Sequence, residues 1–179
     1  MPDVTTIIEN DHREVEGLFA QYFVAANPQA KDQVVDQIRL ALAPHAAAEE
    51  ILVYPAVRGA VGDGKEQADH AIDEHQEIKR LLSEVDKMSA DDPQRDERVR
   101  QLQQAVDHHV QEEESTVLPS LRAGLDDQRR EQMGDLFQKM KPLLPTHPHP
   151  LVPGTATAQL LAGPLASVAD RIRDFVSRR

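Results

Sequence analysis

HAAAEEILVYP at residues 45–55 and HVQEEESTVLP at residues 109–119 are two copies of one segment, each with His-x-x-x-Glu and each reaching a proline ten residues after its histidine. A second pair lies upstream of these: DHREVEGLF at residues 11–19 matches EHQEIKRLL at residues 74–82. The two offsets are 63 and 64 residues. A helical hairpin of about 60 residues has been doubled, which predicts a bundle with approximate two-fold symmetry.

Apolar side chains recur at helical spacing through residue 141, and no stretch alternates with the period of two that a half-buried strand requires. Four long helices are expected, broken by AANPQ around Pro28, RGAVGDG after Pro55, SADDPQ around Pro93, and the stretch from Pro119 to Gly124. Each spans roughly 20–26 residues, or about 30–39 Å. A shorter fifth helix is expected over residues 126–141. PLLPTHPHPLVPG then packs five prolines into thirteen residues, so residues 142–156 are expected to run as an extended connector. Residues 157–179 follow as an amphipathic helix, with Leu161, Leu165, Val168, Ile172 and Phe175 on one stripe, free to dock on the bundle or on a protein partner. The predicted class is all-α: an up-down-up-down four-helix bundle at residues 1–141 with these additions.

The 179 residues suffice for one self-supporting core. Cysteine is absent, which removes disulfides and thiolate ligands and accords with a reducing compartment; a cytoplasmic location is expected. No run has the length of a membrane span, and the start of the chain is too acidic and polar for a secretory signal, so a soluble, unprocessed protein without membrane contact is expected. The net charge is −11, concentrated as −13 over residues 1–141 against +2 over residues 142–179. Nucleic acid is not expected as a partner for such a surface, because phosphate binding needs clustered Lys and Arg.

The faces of the helices carry the chemistry. Ile8, His12, Val15, Phe19 and Tyr22 share a stripe on the first helix; Ile38, Leu42, His45, Glu49 and Leu52 share one on the second. The third repeats the spacing with Ala71, His75, Ile78, Leu82 and Val85, and the fourth with Leu102, Val106, His109, Glu113 and Thr116. One histidine from every helix, and a glutamate one turn later on two of them, therefore face the core. Six ionisable groups pointing into an apolar interior would cost several kcal/mol each if unpaired, more than a domain's stability absorbs. A cation pair compensates them: imidazole and carboxylate suit ions of intermediate softness such as iron, and two ions about 3.5–4 Å apart share two carboxylates. One inward histidine alone would be an ordinary core residue. Four in register are a metal site. Glu50, Glu112 and Glu114 fall on the outer faces and read as solvated charges, as does His108.

His12, HAAAEE, His75 and HVQEEE together resemble the hemerythrin-like HHE cation-binding pattern, and the resemblance covers residues 1–141. It implies two iron ions joined by an oxo or hydroxo bridge, with His12 and His45 on one ion, His75 and His109 on the other, and Glu49 and Glu113 bridging. The oxygen carriers of that family resemble a five-histidine set with His-x-x-x-His on the third helix, whereas the residue four before His75 is Ala71. His70, five before it, lies about 140° away on a regular helix and would join as a fifth ligand only across a π-bulge. Tyr54, where the second copy has Leu118, would donate a hydrogen bond to a bound oxygen ligand if it reached the site, although it is out of phase with Glu49 on an ideal helix. The resemblance implies reaction with O2, hydrogen peroxide or NO: weak catalase-like turnover in oxidative defence, or sensing or storage without turnover. A ferritin-like site needs Glu-x-x-His on two helices, and Glu9 with His12 supplies it once.

Overall fold

The computed structural model describes residues 2–147. Helix α1 (Val4–Val24) is joined by a short turn to α2 (Pro28–Ala48), which passes through a π-turn (Glu49–Val53) into α3 (Tyr54–Ala60). The second half repeats this plan with α4 (Gly64–Lys87), α5 (Arg95–Glu112), a π-turn (Glu113–Val117) and α6 (Leu118–Gly124). Helix α7 (Asp127–Met140) and a 3-10 turn (Lys141–Leu143) close the described chain. No strand occurs among the described residues, and none of their helices is long and apolar enough to cross a membrane. The result is an all-α, up-down-up-down bundle of two hairpins, with α7 as the expected fifth helix.

Local chemistry sets the helix starts. Asp3 accepts from the backbone N–H of Thr5 and Thr6, and Asp126 from that of Arg129. Asn27 accepts from Ala30, with Pro28 at the first helical position where a missing N–H costs nothing. The two π-turns answer to Pro55 and Pro119. In a regular helix each proline would leave the carbonyl four residues earlier, on Ile51 or Ser115, without a donor and would collide with it. Widening the preceding turn avoids the clash: Tyr54 N–H donates to the Glu49 carbonyl, and Leu118 N–H to that of Glu113.

Each π-turn shifts the helical phase by about one residue. Thr116, expected on the core stripe, is exposed and bonds back to the Glu112 carbonyl at 2.6 Å, while Val117 takes the core position. The core itself divides into two apolar halves. One gathers Val15, Phe19, Tyr22, Ile38, Leu82 and Leu102; the other gathers Ile8, Leu52, Tyr54, Leu118 and the α7 residues Met133, Phe137 and Met140. Full burial of each large side chain contributes about 1.5–3 kcal/mol. The polar belt of the candidate site lies between the halves, as the order Ile8, His12, Val15 along α1 makes plain.

Tyr22 is fully buried and its hydroxyl donates to Asp96 at 2.9 Å. The connector expected from residue 142 begins inside the 3-10 turn, and Leu144 belongs to the core, so packing continues past Pro142. The remainder of that connector and the amphipathic helix expected at residues 157–179 lie outside the described residues.

Candidate metal centre

His12, His45, Glu49, His75, His109 and Glu113 come together at one level of the bundle, each 5% exposed or less. The histidines present Nε2 inward and Nδ1 outward. His45 Nε2 lies 3.0 Å from Glu49 Oε1, and His75 Nε2 lies 3.4 Å from the other oxygen, Oε2. Glu113 Oε2 is 3.3 Å from His12 Nε2 and 3.8 Å from His109 Nε2. Donor atoms of His12, His45, Glu49 and Glu113 all fall within 4.8 Å of one another, as do those of Glu49, His75 and His109; such groups could hold a metal ion, and Glu49 belongs to both.

An outer carboxylate meets every Nδ1. His45 pairs with Asp11 at 3.0 Å, His109 with Glu74 at 2.8 Å, His12 with Glu114 at 2.9 Å and His75 with Glu50 at 3.1 Å. An ionised carboxylate only accepts, so each Nδ1 carries a proton and donates it outward, and each Nε2 faces the centre, where it can take either a cation or a second proton. The outer acids are themselves tied down: Asp11 by Lys141 at 2.6 Å, Glu50 by Lys79 and Glu114 by Arg13.

The inward atoms are left in an unfavourable state by the protein's own groups. His12 Nε2, His45 Nε2 and both oxygens of Glu49 and Glu113 are buried without a well-directed hydrogen bond, although His45 Nε2 and Glu49 Oε1 stand close enough to share a proton. His75 Nε2 and His109 Nε2 face each other at 3.1 Å, two lone pairs that need a proton or a cation between them. Burial alone would lower the basicity of His45, but Glu49 and Asp11 outweigh it and raise its pKa to about 10. Burial likewise opposes the charge on Glu49, yet His45 and His75 hold its carboxyl well below the usual range. Orphaned donors and acceptors of this kind each cost about 1–3 kcal/mol, and bound metal would satisfy them.

Tyr54 reaches this ring. The π-turn places it over Glu49, its hydroxyl lies 3.1 Å from His75 Nε2, and it is fully buried. Burial, reinforced by Glu113 and Glu49, raises its pKa well above the ordinary value, so it stays a neutral phenol. The out-of-phase position expected from an ideal helix is corrected by the proline-driven π-turn. His70 is not brought in: α4 is regular across it, its side chain is 57% exposed, and it lies 3.7 Å from Glu74 and 3.6 Å from Glu112. The π-turns fall on the two glutamate-bearing helices instead.

Glu50 and Glu114, expected as free outer-face charges, are the Nδ1 partners of His75 and His12. Asp11 and Glu74 went unnoticed as partners, although the signal was available. Asp11-His12 and Glu74-His75 repeat at the first offset, and Glu49-Glu50 and Glu113-Glu114 at the second.

Residues 3–121 match the Hemerythrin HHE cation binding domain. The chain belongs to this family. A hemerythrin-like protein of Schizosaccharomyces pombe is 28% identical over 179 residues, covering 99% of this chain and 88% of the relative. A DNA nickase of Nostoc is 36% identical over 139 residues, 78% of this chain, but this HHE chain spans only 39% of that protein's length. Among solved structures, a hemerythrin HHE cation binding domain-containing protein of Mycobacterium kansasii superposes with a TM-score of 0.71 over 95% of this chain and 99% of its own; at 19% identity it speaks for the fold alone.

Proposed function

We propose that this HHE domain is a cytoplasmic non-haem di-iron protein that reacts with O2 or hydrogen peroxide. His12 and His45 hold one ion, His75 and His109 the other, and Glu49 and Glu113 are shared. The observation that carries this reading is the set of six inward polar atoms, on His12, His45, Glu49 and Glu113, that converge while buried and make no well-directed hydrogen bond in the protein. The two oxygens of Glu49 turn to imidazoles of different pairs, as a shared carboxylate requires.

Bound iron supplies the one-electron changes of oxidation state that chemistry on O2 or peroxide requires. The protein's own part is orientation, exclusion of water and control of a proton. The four outer carboxylates fix each imidazole in the tautomer that presents Nε2. A cavity of about 20 Å³ against the four histidines is otherwise walled by Val15, Leu42, Ala46, Ile78, Val106 and Val110. Such a space takes a molecule about the size of one water, which suits O2, NO or peroxide and little else. Tyr54, held as a phenol beside His75 on the side of the ring away from that cavity, keeps a proton available at its hydroxyl oxygen.

Purified chain from an iron-replete host should carry two irons and consume hydrogen peroxide, oxidising one molecule to O2 for each one reduced to two waters. His45→Ala and Glu113→Ala should each lower iron content and thermal stability together. A sample devoid of transition metal, or full iron in both variants, overturns the reading. The apolar walls of the cavity favour a second function at the same centre, O2 or NO binding without turnover. That function predicts release of O2 under vacuum and negligible peroxide consumption. DNA nicking belongs to the Nostoc protein, and a net charge of −11 gives this chain little of the clustered positive charge that phosphate binding needs.

A further inference from the structure

The two-fold repeat is broken at one of its four outer carboxylates. Asp11, Glu50 and Glu114 each meet a basic side chain, from Lys141, Lys79 and Arg13. Glu74, the counterpart of Asp11, meets two histidines instead: His108 Nε2 at 3.4 Å and His70 Nε2 at 3.7 Å, both on Oε1. That oxygen is buried and has no hydrogen-bond partner, while the other oxygen accepts from His109.

A surface cleft of about 300 Å³ opens at this position between α4 and the second π-turn. Asp63, Glu66, Glu74, Glu112 and Glu113 line it with His70, and neither Lys nor Arg is among its described lining residues. Its mouth is exposed, with His70 and Glu112 3.6 Å apart, and its floor is Glu113, 1% exposed with both oxygens unpartnered. A groove walled by one sign of charge in low-dielectric surroundings concentrates counter-ions and guides them inward. Imidazole and carboxylate at the lip also form a loose ligand set for a divalent transition metal ion.

We propose that this cleft is the route by which ferrous ions reach the buried centre, with His70 and Glu112 at its mouth and Glu74 Oε1 further in forming a transient capture site. The inference rests on the di-iron reading above. It gives His70 a role in delivery rather than in permanent ligation. Glu74 couples the two locations, since the carboxylate that receives an arriving ion also holds His109. A capture site must release what it takes, and an incomplete ligand set with two exposed members, His70 and Glu112, does so.

The test uses the full chain stripped by chelation and offered ferrous ion without oxygen, with bound iron separated at timed intervals. The double variant His70→Ala/Glu112→Gln alters two exposed side chains and leaves the buried ring untouched. Its uptake should be about tenfold slower, within the range of electrostatic guidance, with the same final iron content. Added salt should slow the wild type more than the variant. Glu16→Gln, which lowers the charge on the α1 face instead, should load at the wild-type rate. Equal rates for the double variant and wild type overturn the route, as does an equal slowing by Glu16→Gln. A lowered final content in the double variant also overturns it, by making these residues part of the resident centre. A wild-type chain that takes up no iron sinks the di-iron reading and the route with it, whereas loading at unchanged rate in the variant sinks the route alone.

Discussion

His75 is gripped from both sides, with Glu50 on Nδ1 and with Tyr54, Glu49 and His109 around Nε2. The two grips have different consequences. Glu50→Gln keeps the shape but replaces an ionised acceptor with a neutral amide, so the ring loses much of the push toward its inward nitrogen. Metal affinity should fall about 10–100-fold, read by competition with a chelator, while the far-ultraviolet circular dichroism stays that of the wild type. Tyr54→Phe deletes only the hydroxyl from a packed ring. It should cost about 1 kcal/mol in denaturant unfolding and shift the optical bands of the iron-loaded protein. Identical spectra for wild type and variant would discard a role for the phenol at the centre.

At the scale of elements, α7 covers the ring by lying against α1. Its approach depends on Gly134, where an added Cβ would sit 2.5 Å from the Pro2 carbonyl oxygen and 2.9 Å from Ile7 Cδ1. Backbone cannot yield there. Gly134→Ala should destabilise the bundle by about 1–3 kcal/mol in denaturant unfolding. The start of α1 adds a pH dependence. Burial opposes the charge on Asp3, but bonds from Thr5 and Thr6 outweigh it and lower its pKa below 3.8. A lowered folded pKa means the cap stabilises fully above the unfolded value and fades as pH falls through the folded one. The stability gap between wild type and Asp3→Ala, about 1 kcal/mol at neutral pH, should therefore shrink in acid below that range. The elements were legible from sequence because apolar spacing reports which face is buried, and the stripe placed His12, His45, His75 and His109 together correctly. Phase after each π-turn was not legible from an ideal helix, which is why Thr116 gave its core position to Val117 and Tyr54, expected out of phase, turned inward. Pro55 and Pro119 were the cue. Which outer acid meets which ring depends on the relative height of two helices, and periodicity within one helix is silent on that.

For the molecule as a whole, the polar belt separates two apolar halves that would otherwise form one continuous core. On the di-iron proposal, ions held there would bind the folded state and not the unfolded chain, so at a hundredfold excess over Kd they would add about 2.7 kcal/mol. Chelation should lower Tm accordingly, and restoring ferrous ion should return it; a Tm indifferent to chelation would contradict a resident metal. The pairing pattern also crosses the repeat. His45 and His109 each lean on an acid of their own hairpin, Asp11 and Glu74, whereas His12 leans on Glu114 and His75 on Glu50, each from the opposite hairpin. Severing the backbone at the Val61–Asp63 link would thus yield fragments that each orient only one of their two rings. By the same token, a peptide half this size could assemble the whole quartet by pairing with its twin, each copy lending the other the acid it lacks.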